Sequence, residues 1–137
     1  MRYLGIDVGR ARIGVALADG LLRTARPLRV VERRGDVPDL AVIAEVASEY
    51  EVTQAVVGLP INMDGTEGTS AAFARRFAAK LAETLNVPVV FQDERLSTFE
   101  AESRLRERGL TSRESRAHVD AEAAAVILQD WLDGSGR

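Results

Sequence analysis

The amino-acid sequence predicts an α/β fold in which a mixed five-stranded sheet is flanked by helices. Three short apolar segments separated by turn signals open the chain. Two later segments have helical periodicity, and a strand-like apolar run follows each of these helical segments. Strands joined by tight turns pair antiparallel, whereas strands joined through a helix pair parallel. The expected sheet therefore combines a three-stranded antiparallel meander with two parallel strands, and helices cover its faces.

The meander is predicted from residues 2–8, 12–18 and 24–31. The tripeptide Gly9-Arg10-Ala11 between the first two segments is typical of a hairpin, and Asp19-Gly20 marks the second turn. A helix is expected to begin at Asp36, because Pro38 is tolerated in a first helical turn. Its apolar residues recur at helical spacing, as Leu40, Ile43, Ala47 and Tyr50.

The second half of the chain alternates strands and helices. Residues 52–59 read as a buried strand, 60–69 as a Gly- and Asn-rich loop, and 88–91 as a short last strand. The helix between them ends near Asn86 and carries one apolar stripe, formed by Phe73, Phe77, Leu81 and Leu85. Ser97 and Glu100 form a capping box for a helix that stops at Gly109, and a final helix is expected over about 119–132.

Length and composition restrict the function classes. A chain of 137 residues is expected to form one domain over 1–137, too short for two lobes that close on a substrate. It has no cysteine, so disulfide frameworks and thiolate metal sites are excluded. The N-terminus shows no signal-peptide pattern and no apolar run approaches membrane-spanning length. We expect a cytoplasmic protein without a membrane partner.

The net charge of -3 hides two basic stretches. Arginine is concentrated over 23–34 and over 103–118, and Lys80 is the only lysine. Because the planar guanidinium matches phosphate geometry, this pattern favours binding of nucleic acid. A coding bias would also enrich arginine in this alanine-rich chain, and the sequence leaves the two explanations equal.

Two carboxylates lie where strands end. Asp7 closes the first strand and Glu94 follows the last, and the carboxyl ends of such strands border the crevice where α/β sheets bind ligands. Taken singly, each has a structural explanation. Asp7 could cap the hairpin, and Glu94 could form a surface ion pair with Arg95.

Asp120 is the third carboxylate, and it lies on a helical stripe with Ala124, Ile127, Leu128 and Trp131, which are all apolar. A carboxylate on a core-facing stripe is costly unless a cation meets it. The structural alternative is a position in the first helical turn, where the macrodipole stabilises negative charge. If these elements converge, three carboxylates meet with no basic residue adjacent to Asp7 or Asp120.

A divalent cation would neutralise such a cluster. Carboxylates without cysteine or clustered histidine favour Mg²⁺ or Mn²⁺, which bind carboxylates together with substrate phosphate. Two such ions orient a water molecule and stabilise the departing oxygen of a phosphodiester. The sequence therefore predicts phosphodiester hydrolysis, with Asp7, Glu94 and Asp120 as catalytic metal ligands.

Several residues are candidates for binding nucleic acid. Arg10 and Arg12 lie beside Asp7, and the loop at 59–69 could offer backbone amides to a phosphate, although a purely structural turn is equally expected there. The remaining candidates are Asn62, Arg95, Arg104, Arg106 and Arg108. His118 could transfer a proton, but a single histidine in this position is more often incidental.

These residues lie in motifs that resemble the YqgF (RuvX) family of the RNase H-like superfamily, and the resemblance covers nearly the whole chain. The motifs are GIDVG at 5–9 with RIGVA at 12–16, VGLPINMDGTE at 57–67, DERLST at 93–98 and DAEAAA at 120–125. Four motifs in the right order are more specific than any one of them.

The resemblance implies an RNase H-like nuclease whose metals are held by Asp7, Glu94 and Asp120. Members of the family are described as Holliday junction resolvases and as nucleases for the 5′ end of pre-16S rRNA. The RuvC resolvases, which share the fold, carry a second aspartate one turn along the last helix, where this chain has Ala123. We therefore expect a second ion to be bound weakly or brought by the substrate.

Maturation of the 5′ end of pre-16S rRNA is the expected role, with structured nucleic acid as the partner. The alternatives are a Holliday junction resolvase, for which a homodimer would place two sites on opposite strands, and a non-catalytic nucleic-acid-binding module. An actin-like or sugar-kinase ATPase is also considered, because Asp7-Val8-Gly9 followed by Gly14 resembles its first phosphate loop. Such enzymes close two related domains over the nucleotide, and this chain has the length of one.

Overall fold

The computed structural model describes residues 1–94 and 112–135, with side chains described over 119–134 in the last helix. The predicted helix over 97–109 therefore lies outside the described residues. The elements, in chain order, are β1 Arg2–Val8, β2 Arg12–Asp19, β3 Thr24–Glu32, α1 Asp36–Glu49, β4 Gln54–Leu59, α2 Thr69–Leu85, β5 Val89–Asp93 and α3 Ser112–Ser135. None of these helices is both long enough and apolar enough to cross a membrane.

One five-stranded sheet has the order β3-β2-β1-β4-β5. The first three strands form the antiparallel meander, and β4 and β5 pair parallel to β1 and to each other. The predicted mixed sheet is confirmed. Its carboxyl edge is the side on which β1, β4 and β5 all end, so residues that follow these strands meet there.

Side chains alternate between the two faces of the sheet, and each face has its own core. Leu4 and Ile6 point toward α1 and α2, where they pack with Ile43, Phe77 and Leu81. The opposite face is lined by smaller residues and is covered by α3, in a cluster that includes Ala16, Val56, Ala124 and Leu128. The molecule therefore has three layers, in which the sheet lies between α1 and α2 on one face and α3 on the other.

Three glycines allow α3 to lie very close to the sheet. A Cβ atom at Gly5 would lie 2.8 Å from the carbonyl oxygen of Ala124, and one at Gly14 would lie 1.8 Å from that of Asp120. At Gly58 the nearest atom would be Ile127 Cδ1, at 2.5 Å. At Gly5 and Gly14 the helix backbone contacts the strands directly, and the contact at Gly14 fixes the height of Asp120 above the sheet.

The last helix begins earlier than predicted. It starts at Ser112 rather than near residue 119, so Asp120 lies more than two turns inside it. The macrodipole explanation for Asp120 is therefore wrong, since that effect is confined to the first turn. The residues at 112–118 are mostly polar and show no apolar periodicity, which is why the sequence pattern placed the start too late.

Replacing Gly14 by alanine should disrupt this contact. The added methyl group meets backbone atoms of Asp120, which cannot rotate away, so we expect Gly14→Ala to lower the free energy of unfolding by about 3 kcal/mol. Urea denaturation measures the change. Gly134→Ala is the matched control, because nothing lies within 4 Å of its Cβ position, and its effect should stay within about 1 kcal/mol. Equal stability of Gly14→Ala and the wild type would contradict direct backbone packing at this point.

Candidate active site

The carboxylates predicted from the sequence lie at one edge and on one face of the sheet. Asp7 is on the same face as Gly5, which packs against α3, and it pairs in register with Gly14 of β2. Glu94 directly follows β5, and its backbone N–H donates to the carbonyl oxygen of Leu59 at 3.3 Å. This bond extends the β4–β5 pairing by one residue, so Glu94 occupies a defined position at the carboxyl edge.

Asp7 and Glu94 form a hydrogen-bonded pair of carboxyl groups. Burial is the main cause that raises the pKa of Glu94 to about 9, and the neighbouring charge of Asp7 adds to it. The pKa of Asp7 is also raised, chiefly by burial, although the hydrogen bond with Glu94 opposes this shift. At neutral pH Glu94 therefore keeps its proton, which it donates to Asp7.

Gly58 makes room for this pair. A Cβ atom there would lie 2.6 Å from Glu94 Oε2, so the carboxyl group of Glu94 occupies the space above the glycine. Gly58 lies within β4, inside the strand predicted over 52–59, and pairs with Gln92. Its function in the structure is to leave space for the side chain that follows the neighbouring strand.

Asp120 is bound to Arg12. The Nε atom of Arg12 donates to Oδ2 of Asp120 at 2.7 Å, and this pair raises the pKa of Arg12. The expectation that no basic residue lies adjacent to Asp120 is therefore wrong. The two residues are far apart in sequence, and only the packing of α3 over Gly14 brings the helix beside the start of β2. Asp120 still lies near enough to Asp7 for its charge to raise the pKa of that group.

The donor set suits a hard divalent cation, although the described residues contain no group of three acidic, histidine or cysteine side chains placed to hold a metal ion. Asp7 and Glu94 present carboxylate oxygens at one point, and burial disfavours their simultaneous ionisation without a cation. Asp120 would complete the set only after separating from Arg12. The chemistry of these residues therefore fits Mg²⁺ or Mn²⁺, with two of the three candidate carboxylates adjacent and the third bound to an arginine.

Arg10 is the exposed candidate for binding phosphate. It lies in the turn after Asp7, and its guanidinium carbon lies 4.9 Å from the centre of the Phe73 ring. Arg10 and Phe73 line a shallow pocket of about 300 Å³ with Arg33 and Gly35. Arg12 is less available, since it already binds Asp120.

The loop after β4 is closed by its own hydrogen bonds. Asn62 donates its backbone N–H to the carbonyl oxygen of Thr66 at 2.8 Å and its side-chain amide to the Thr66 hydroxyl at 3.0 Å. The Gly65 and Thr66 amides are also bonded within the loop. These contacts favour the structural explanation of the loop over phosphate binding. The candidates Arg95, Arg104, Arg106 and Arg108, and the side chain of His118, lie outside the described residues.

Comparison with known proteins identifies the family. The family model RuvX, described as Holliday junction resolvase, matches residues 1–134. The chain belongs to the RuvX family. A relative from Anaeromyxobacter dehalogenans strain 2CP-C is 67% identical over 133 residues, which cover 97% of each chain. A relative from Myxococcus xanthus is 49% identical and is covered over 88% of its length. Both are named "Putative pre-16S rRNA nuclease".

Solved structures support the same RNase H-like fold. The RuvC of Thermus thermophilus in complex with a Holliday junction substrate matches with a TM-score of 0.59 at 19% identity, covering 99% of this chain and 96% of that one. The Fowlpox virus resolvase in complex with Holliday junction DNA matches with a TM-score of 0.58 at 11% identity, covering 100% of both chains. At such identities the likeness establishes the fold that this RuvX chain shares with nucleases, and no residue roles.

Arg33 has a structural role in this RuvX chain that the sequence analysis missed. It was counted in a basic stretch, but its guanidinium donates to Asp39 at 2.7 Å, to Asp36 at 2.5 Å and to the Gly9 carbonyl oxygen at 3.2 Å. Asp39 is only 1% exposed, so the guanidinium of Arg33 is occupied by partners inside the protein. The bonds attach the turn that carries Arg10 to the start of α1.

Glu122 is a second residue that the sequence analysis did not single out. It is 1% exposed on α3, two residues after Asp120, although its side chain is ionisable. The available signal was its position in the motif DAEAAA, where small residues on both sides indicate a closely packed helix. The pattern did not distinguish a buried glutamate from one facing solvent.

The raised pKa of Glu94 predicts a pH dependence of stability in EDTA. Unfolded Glu94 releases its proton near its ordinary pKa of 4.5, whereas folded Glu94 holds it to about pH 9. The folded state therefore binds more protons between these values, and its stability falls as pH rises through them. In Glu94→Gln this contribution is absent, so the melting temperature of the wild type minus that of the variant should decrease from pH 5 to pH 9. A difference that stays constant or increases would contradict the protonated pair.

Proposed function

We propose that the protein is a divalent-metal-dependent nuclease that hydrolyses phosphodiester bonds, with Asp7, Glu94 and Asp120 as its metal ligands. The observation that carries this proposal is the partly buried, hydrogen-bonded Asp7–Glu94 pair at the carboxyl edge of the sheet. A structural role alone does not explain two adjacent, partly buried carboxyl groups, since apolar residues of similar size would fill this space at lower cost. Membership of a nuclease family points in the same direction.

The electrostatics of the pair favour a cation as its partner. Without an ion, burial and the neighbouring charge of Asp7 keep a proton on Glu94, whose pKa is raised to about 9. Asp7 and Glu94 could both ionise if a divalent cation took the place of that proton. Asp7 and Glu94 would then hold Mg²⁺ or Mn²⁺ between the ends of two strands, which are rigid supports.

A bound ion would activate a water molecule and stabilise the charge that develops on the phosphate. The protein residues would hold the ion in a fixed position. Asp7 lies on the central strand and Glu94 at the end of β5, so both ligands move with the sheet rather than with a loop. Asp120 approaches from the helix, and Ala123 replaces the second helical aspartate of RuvC, which supports a site with one firmly held ion.

Arg10 gives the substrate backbone a contact at the same edge. It follows Asp7 by three residues and leans over Phe73 of α2, whereas the carboxylates face α3. A nucleic-acid strand that crosses the carboxyl edge of the sheet would therefore meet the carboxylates on one face and Arg10 on the other. Arg33 stabilises this arrangement from within, since it contacts both Phe73 and the Gly9 carbonyl oxygen.

We further propose that the physiological substrate is the 5′ end of pre-16S rRNA, the role named for relatives at 67% and 49% identity. The description of the family model favours Holliday junctions as the alternative. The aromatic rings in the described part of the chain are covered by other side chains. Phe73 lies under Arg10, Phe91 under Arg75, and Trp131 packs edge-on with Tyr3. This surface suits recognition of backbone shape rather than stacking of bases.

Activity should require Mg²⁺ or Mn²⁺ and should be lost in EDTA. We expect Asp7→Asn, Glu94→Gln and Asp120→Asn each to reduce the single-turnover cleavage rate by more than about 100-fold, because removal of outer partners of a metal already costs roughly 10- to 100-fold. Asp19→Asn is the matched control, since Asp19 lies at the opposite end of β2 and binds the Leu21 amide. Full activity in metal-free buffer, or near-native turnover of any one variant, would remove the corresponding assignment.

The substrate assignment is tested by direct competition. Equal concentrations of a precursor rRNA fragment and a four-way DNA junction are offered with Mg²⁺ and then with Mn²⁺, and single-turnover rates are measured together with the oligomeric state. We expect faster cleavage of the RNA, because a single site suffices for it. Asp7→Asn purified in the same way excludes contaminating ribonuclease. Paired symmetric nicks on the junction by a dimer, with the RNA intact, would make the resolvase function primary.

A further inference from the structure

We propose that Arg12 is an internal substitute for the metal ion at Asp120, and that its guanidinium transfers to a substrate phosphate when the ion takes over this carboxylate. The inference rests on the proposed metal site and goes beyond it, because it assigns Arg12 to the control of metal binding. Arg12 is then a positioning residue for Asp120 in the metal-free protein and a nucleic-acid ligand in the loaded one.

The backbone of Asp120 is held in place, whereas its side chain is not. Its carbonyl oxygen lies directly against Gly14 of β2, where no side chain could be inserted. Arg12 is two residues earlier on the same strand and binds Oδ2 at 2.7 Å. Asp7 pairs in register with Gly14. A rotation of the Asp120 side chain, without movement of the helix, would therefore exchange Arg12 for the Asp7 site.

The pair is suited to exchange because it is not buried. The side chain of Arg12 is 42% exposed and that of Asp120 is 23% exposed. Partly exposed ion pairs contribute little net stability, so a divalent cation can compete for the carboxylate. Arg33 shows the opposite case, since its ion pair with Asp39 is nearly inaccessible and ties the turn to α1.

Arg12 would remain at the active edge after its release. It begins β2 immediately after the turn that carries Arg10, and its register partner on β3 is Glu32, which also favours its charged form. The released guanidinium would point to the solvent beside the carboxylates, where a phosphate of the bound strand can receive two of its N–H groups. Because binding couplings are reciprocal, the ion should strengthen nucleic-acid binding and nucleic acid should strengthen ion binding.

The test measures Mn²⁺ binding to the metal-free protein by titration calorimetry, without nucleic acid. We expect Arg12→Gln, and Arg12→Met as a second variant, to bind Mn²⁺ about 2- to 5-fold more tightly than the wild type, the range that corresponds to loss of a partly exposed ion pair. Arg34→Gln controls for the removal of a positive charge, because Arg34 follows Arg33, whose backbone N–H donates to the Ala11 carbonyl oxygen beside Arg12. This variant should leave the Mn²⁺ affinity unchanged. In an Asp120→Asn background, Arg12→Gln should have no effect.

These outcomes separate the inference from the proposed function. If the wild type binds Mn²⁺ and Arg12→Gln binds it equally or more weakly, Arg12 does not compete for Asp120 and the inference fails while the metal site stands. If Arg34→Gln tightens binding as much as Arg12→Gln, the effect is general electrostatics and the inference also fails. If the wild type and Asp7→Asn alike bind no Mn²⁺, both the proposed metal site and the inference are rejected.

A second measurement tests the transfer to phosphate. Binding of a fluorescent four-way DNA junction is compared in EDTA and in Ca²⁺ at constant ionic strength, because salt changes alone would alter the affinity. The gain in affinity on adding Ca²⁺ should be smaller for Arg12→Gln than for the wild type, whereas Arg34→Gln should keep the full gain. Equal gains for Arg12→Gln and the wild type would show that the released guanidinium does not bind the substrate.

Discussion

The direct contact between the last helix and the sheet is the constraint on which the remaining structure depends. At Gly5, Gly14 and Gly58 the strands present only backbone, and α3 occupies the space that side chains would fill. The contact at Gly14 places Asp120 over the meander, and the space above Gly58 receives the carboxyl group of Glu94. Close packing, which is usually an argument about stability, therefore also determines the geometry of the site.

The carboxyl groups of Asp7, Glu94 and Asp120 lie close enough for their charges to disfavour one another, and the metal-free protein neutralises these charges in two ways. A proton neutralises Glu94 beside Asp7, and the guanidinium of Arg12 neutralises Asp120. Both are positive charges placed where a divalent cation would act. Burial disfavours the ionised carboxylates in the metal-free protein. A single divalent cation would stabilise them in place of the proton and the guanidinium, and this would favour ion binding.

The arginines of this chain divide by environment rather than by position in sequence. Arg33 is enclosed and joins the hairpin turn to α1, Arg12 holds a carboxylate, and Arg10 is exposed over an aromatic ring. A negative net charge is therefore compatible with a nucleic-acid substrate, since the exposed guanidinium groups matter more than the sum. Arg33 supports Arg10 indirectly, because it fixes both the Gly9 carbonyl oxygen and the Phe73 ring.

The sequence by itself determined the sheet, its mixed pairing and the convergence of strand ends, because apolar periodicity and turn residues are local signals. It also singled out Asp7, Glu94 and Asp120, since a carboxylate among apolar neighbours is visible in the sequence. Only the tertiary structure decided that Asp120 forms an ion pair with Arg12, that the carboxyl group of Glu94 occupies the space above Gly58 and that the guanidinium of Arg33 is largely buried. The first two contacts join residues distant in sequence, and Arg33 is enclosed by Phe73 and Phe77 of α2 in addition to its near neighbours on α1. All three depend on how closely the helices approach the sheet, a distance that no local pattern encodes.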